Sequence, residues 1–223
     1  MTAMRSRPEL FLAATNTLYA ALLSNLLLVF GCAPLVLGLL VTDPARTWPL
    51  LALVAPLCAP ALVGVFAVMA SAGRGGPTSV LTTFARAWRA SLGRGVAVGG
   101  MAVLAVVVLG VDIAWAWGRT IGAAAIPVLA TLIVLVVSSA MLALVVLAER
   151  PDVRLRDLTR ASLYLAVRRW YLTAVSLAVL VLLVQVIAVR PAIGLGLVAS
   201  PLLYVVWAGS RYSLRPAMGG HLA

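Results

Sequence analysis

Few side chains in this 223-residue chain are equipped for chemistry. The single histidine, His221, stands in the terminal tail, so the sequence offers neither a serine triad nor a histidine-bearing metal set. Cys32 and Cys58 fall at similar depths of two adjacent apolar runs. That placement lets them face each other, and the sequence reads them as small apolar fillers in preference to a disulfide. Asp112 is the one carboxylate close to the interior of an apolar run. It is either an ion- or proton-coupling group or an interfacial carboxylate reaching water or Arg119, and the neighbouring Trp115 and Trp117 favour the interface. Asn25 and Gln185 also lie in apolar runs. Their amides either join helices, at about 0.6–2 kcal/mol each, or line a solute site. Ser138 and Ser139 can satisfy their own helix carbonyls. The glycine-rich stretch 73–76 lacks the Lys and Ser/Thr of a phosphate loop. The expectation is a protein that is not an enzyme, with no catalytic, cofactor-binding or metal-binding residue and no cofactor.

The elements that hold these residues are long and apolar. Hydrophobic residues make up 64% of the chain and charged ones 10%, against about 25% charged in soluble domains. A spanning helix needs about 20 apolar residues. Six runs qualify or nearly so, and predict spans near 20–41, 48–72, 95–117, 122–148, 170–189 and 191–209, within a single integral membrane domain over 1–223. The runs do not alternate as a membrane β-barrel requires. Pro34, Pro56, Pro60, Pro127 and Pro201 are expected to interrupt helices. The basic opening and the apolar run after it imitate a secretory signal. Phe30 suits a cleavage box poorly and apolar sequence continues past Cys32, so an uncleaved first span is expected.

All 17 basic residues are arginine, and the net charge is +11. Fourteen fall in gaps on one side of the predicted spans, and Arg46, Arg119 and Arg190 on the other. Basic loops stay cytoplasmic, so both termini are placed inside. This fits an even number of spans and a multi-pass protein of a plasma membrane.

Two inner segments break the rhythm of spans. In 78–94, Leu81, Phe84, Trp88 and Leu92 recur at helical spacing, with Arg86 and Arg89 pointing away and Arg94 following. The expectation is an amphipathic helix in the headgroup layer, aromatics toward lipid and arginines toward anionic phosphates. The segment 149–169 repeats the theme with Arg160, Arg168 and Arg169. These residues are candidates for lipid contact or for docking a cytoplasmic partner; their placement argues against nucleic acid. A spacing of 74 residues relates Phe84-x-Arg86-Ala87 to Leu158-x-Arg160-Ala161, Arg94 to Arg168, and Pro127 to Pro201. It suggests three units, each a lead-in segment and a hairpin of spans.

The run from Asn25 to Pro34, Asn-Leu-Leu-Leu-Val-Phe-Gly-Cys-Ala-Pro, resembles the opening signature of the YesL family of bacterial membrane proteins. Phe84-Ala85-Arg86-Ala87-Trp88-Arg89 with Arg94 is similar to that family's lead-in to its third span, and Val111-Asp112-Ile113 to the end of that span. This copy carries Ala and Val where the family has bulkier residues, and its glycine after Pro34 comes late, at Gly38. The resemblance implies a bacterial inner-membrane protein found in the company of carbohydrate uptake systems, and no catalytic residues. The function expected is therefore a non-enzymatic accessory to carbohydrate uptake, with sugar transporter subunits as partners. The alternative is a small solute transporter in its own right.

Overall fold

In the computed structural model, residues 7–72, 79–119 and 122–149 are described, with 178, 182, 202–205, 207 and 208. Every element among them is helical. They run α1 (Arg7–Gly31), α2 (Ala33–Val41), α3 (Pro44–Val54), a 3-10 turn (Ala55–Cys58), α4 (Ala59–Ala72), α5 (Val80–Ala116) and α6 (Gly122–Glu149). Three stretches are long and apolar enough to cross a membrane: Pro44–Ala72, Val80–Ala116 and Ala124–Glu149. A fourth exists if the bent pair α1–α2 is one span. The predicted spans over 170–189 and 191–209, with the second inner segment, lie outside the described elements.

The first span differs from expectation. The sequence predicts it over 20–41, yet α1 runs unbroken from Arg7, and the break comes at Cys32. There α1 and α2 meet at 68°. The cause is local. Pro34 has no N–H to give the preceding turn and its ring crowds that turn's carbonyl. On either side the ladder holds, with Cys32 N–H donating to Leu28 and Val36 N–H to Cys32.

The turn from α2 to α3 is compact because its polar groups cap both helices. Thr42 donates N–H and Oγ1 to the Gly38 carbonyl, and Thr47 Oγ1 donates to the Asp43 carbonyl. Asp43 Oδ1 accepts the Ala45 N–H at 3.0 Å, Pro44 begins α3, and Arg46 lies 3.8 Å from Asp43. Asp43→Ala is therefore expected to cost about 1 kcal/mol, read as an earlier unfolding midpoint in detergent; no shift would show that the cap is idle.

The prolines behave unequally. Pro56 sits in the 3-10 turn that separates α3 from α4, whereas α6 continues through Pro127. Thr131 Oγ1 donates to the Pro127 carbonyl one turn back in the same helix.

Helix α4 is the centre. It packs on α1, α5 and α6, and eleven of its fourteen residues are buried. A helix enclosed on all sides has no polar face, and α4 is made of Ala, Val, Gly, Leu, Met, Phe, Pro and one Ser. Small side chains let backbones approach. A Cβ on Gly99 would stand 2.8 Å from Ala59 Cβ, and one on Gly95 3.3 Å from Pro60 Cα. The Gly95-x-x-x-Gly99 pair, too common a pattern to weigh in sequence, thus seats α5 against the start of α4. Ser24, Asn25 and Leu28 of α1 are buried, and so are Ser138, Leu142, Ala143, Leu144, Val145 and Leu147 of α6. Leu203 and Trp207 join the same core.

Burial is polarised along the bundle. Helices α2 and α3 have no buried residue. The C-terminal half of α5 exposes Met101, Leu104, Val108, Val111 and Trp115, and the start of α6 exposes Val128 and Leu132. An apolar surface of this extent calls for lipid or a partner.

The 74-residue spacing recurs in the elements. Moved by 74 positions, 7–41 falls on 81–115, within one residue of α5 at each end. The position matching Pro34 is Val108, and α5 is accordingly unbroken where α1–α2 bends.

Candidate functional site

The candidate surface is the N-terminal half of α5. The sequence predicts this stretch as a separate helix lying flat, with Phe84 and Trp88 toward lipid. Instead it continues into the third span as one 37-residue helix, about 55 Å long at 1.5 Å per residue. Val80, Phe84, Ser91, Gly95 and Val98 form its buried stripe, with Trp88 packed against the same core. Leu81 and Leu92, expected on the apolar face, are exposed. The physical reason is that α4 supplies the apolar cover the sequence assigned to lipid. Phe84 is only 6% exposed. Its ring lies on Gly64, where a Cβ would come within 2.6 Å of it, and reaches toward Gly31. Phe84 thus ties α1, α4 and α5 together and is unavailable to lipid or a partner. The indole N–H of Trp88 is enclosed without an acceptor.

The arginines fare as expected. Arg86, Arg89 and Arg94 are all exposed, so the apolar residues anchor the helix and the guanidinium groups stay outward. Arg160, Arg168 and Arg169, the corresponding candidates in the second inner segment, lie outside the described residues, as does Gln185.

The remaining candidates do not converge. Asn25 is buried at 2% exposure in the C-terminal third of α1, beside buried Ser24. Pro34 is exposed at the α1–α2 bend. Asp112 is exposed near the far end of α5. Arg119 does not turn to it but stacks on Trp115, 3.7 Å from the ring centroid. Ser139 donates to the Val136 carbonyl as expected, but Ser138 does not back-bond: it is buried and its Oγ has no partner. Among the described residues no group of three or more His, Cys, Asp or Glu could hold a metal.

Cys32 lies at the α1–α2 bend and Cys58 closes the 3-10 turn; both are free and half-buried.

Fold and surface together define an all-helical protein whose apolar helices suit a membrane, with a basic strip on one long helix. Residues 12–113, which run from within α1 to near the end of α5, match the family described as "Protein of unknown function, DUF624". The YesL-like signatures read at 25–34 and 84–94 fall inside that match, and the two agree. No curated protein and no solved structure matches the chain.

Proposed function

We propose that the chain is a multi-pass protein of a bacterial plasma membrane, crossing six times with both termini in the cytoplasm, and that it acts without catalysis as an accessory to carbohydrate uptake. The observation that carries a partner-binding role is the division of labour along α5. Its apolar stripe is used up on α4, while Arg86, Arg89 and Arg94 face outward. Guanidinium groups held on a rigid helix can pair with carboxylates of a protein or with anionic headgroups. The link to carbohydrate uptake rests on the family resemblance.

A photo-crosslinker placed at position 89 in cells tests it. The expected product joins the chain to a subunit of a binding-protein-dependent sugar transporter, and Arg86→Glu with Arg89→Glu is expected to reduce its yield at least about tenfold, as like charges replace opposite ones across the contact. Capture of phospholipid alone would leave the arginines a lipid role and end the partner reading. Buried Asn25 favours a second reading, a small solute carrier. Sugar flux into liposomes holding the purified chain, lost in Asn25→Ala, would select it.

A further inference from the structure

We propose that the first turns of α5 stand clear of the lipid, and that their outward face, Leu81 with Arg86 and Arg89, docks an acidic amphipathic helix of a partner protein. This deepens the partner reading of the same surface and rests on it, as it does on α5 crossing a membrane.

Height along α5 separates lipid from protein as the occupant. Arg94 and Asp112 are both exposed on this helix, and no charged residue lies between them. Neither side chain belongs in hydrocarbon. The run from one to the other is about 27 Å at 1.5 Å per residue, close to the roughly 30 Å of a bilayer core. The two charges therefore bracket the core and leave little room for tilt. Beyond the core the headgroup layer extends about 5–8 Å. Arg89 lies about 8 Å past Arg94, Arg86 about 12 Å and Leu81 about 20 Å. Arg94 is thus level with the phosphates, Arg89 at their outer limit, and Arg86 and Leu81 in water. The protruding end is held firmly, since Val80 and Phe84 are buried and the Phe84 ring lies on Gly64 of α4.

Phase around the helix defines the face. Val80, Phe84 and Ser91 form the buried side. Leu81, Ala85 and Arg89 follow one another at four-residue spacing and make one ridge away from it, with Arg86 alongside. Leu81, Arg86 and Arg89 are exposed. A single exposed leucine needs no explanation. Here it shares a ridge with an arginine and has a second arginine beside it. Residues 80–94 contain no carboxylate, so the charge of the face has one sign. A helix that presents a leucine stripe edged by glutamates one turn apart complements both the charge and the apolar ridge. A phospholipid complements the charge alone and does not reach Leu81.

The experiment uses the full chain in nanodiscs of phosphatidylcholine at about 0.15 M salt, where charges more than about 8 Å apart are largely screened. The probe is a fluorescent synthetic helix with one leucine stripe edged by glutamates. Beside it are a version with lysine for glutamate and a scrambled version of equal charge. The acidic striped helix is expected to bind at least about tenfold more tightly than either control. Arg86→Glu with Arg89→Glu is expected to reverse the preference in favour of the lysine version, and Leu81→Ala to weaken binding about three- to tenfold. A benzoylphenylalanine crosslinker in the same discs is expected to capture lipid from position 104 and not from position 81. Lipid capture at 81 as strong as at 104, equal binding of the scrambled helix, equal binding of an oligonucleotide, or no binding at all would each overturn the proposal. Capture of a transporter subunit at position 89 without binding of the acidic helix would keep the partner reading and remove this one; binding of the helix without such capture would do the reverse.

Discussion

Phe84→Ala is expected to lower the stability of the folded protein by about 3 kcal/mol, at the lower end of aromatic-to-alanine losses. The ring is buried where three helices meet, against Gly64 and close to Gly31. Alanine leaves a void that rigid neighbours cannot fill, because glycine has no side chain to swing inward. Part of the usual loss comes from returning apolar surface to water, and that part shrinks where the alternative surroundings are lipid. The lost contacts and the cavity remain. Phe84→Leu keeps most of the volume and is expected to lose about 1 kcal/mol. Unfolding midpoints in a mild detergent check both. If Phe84 lay on headgroups, as the sequence reads it, alanine would leave the midpoint nearly unmoved and both variants would look alike.

The second large effect is at Gly99. A valine there would meet Ala59 Cβ at 2.8 Å and the Pro56 Cα and carbonyl oxygen at 3.3 Å. Two of those atoms are backbone in a proline-bearing 3-10 turn, which does not deform cheaply. Helix α5 must back away along its whole contact with α4, and overpacking of this kind costs about 1–3 kcal/mol. Gly99→Val is expected near 3 kcal/mol, the upper end. Gly100 is the control. It has open space where its Cβ would go, so Gly100→Ala is expected to be neutral or to gain up to about 1 kcal/mol from helix propensity. Equal effects at the two neighbours would refute a close approach at Gly99.

Residue by residue, legibility followed what hydrophobicity can encode. Predicted spans at 95–117 and 122–148 end within a residue or two of α5 and α6, because arginine, glycine and aromatic residues mark those ends. The stripe through Phe84 and Trp88 was readable too. Its cover was not, since an apolar face looks the same whether lipid or α4 lies on it. The same ambiguity put Leu81 and Leu92 on the wrong side: an exposed leucine carries no periodic penalty. The interruption at Pro34 was legible in sequence, but so was one at Pro127, and α6 passes through it. Context separates them. At Pro34 the chain lies against α4 so closely that a Cβ on Gly31 would stand 2.6 Å from Ala61 Cβ, whereas Pro127 lies within one continuous helix. Of the surface candidates, Arg86 and Arg89 were placed correctly, because a buried unpaired guanidinium is so costly that helical phase alone decides.

The enclosure of α4 bears on how such a chain is assembled. A segment emerging into the bilayer before α5 and α6 exist meets hydrocarbon on most of its circumference. Later the same circumference must accept neighbouring backbones. Leucine-rich sequence would satisfy the early stage and obstruct the later one; polar sequence would do the reverse. Alanine, valine and glycine, which fill most of Ala59–Ala72, are at home in both. The composition of this one helix thus records two successive environments, the oil it is born into and the protein that finally replaces it.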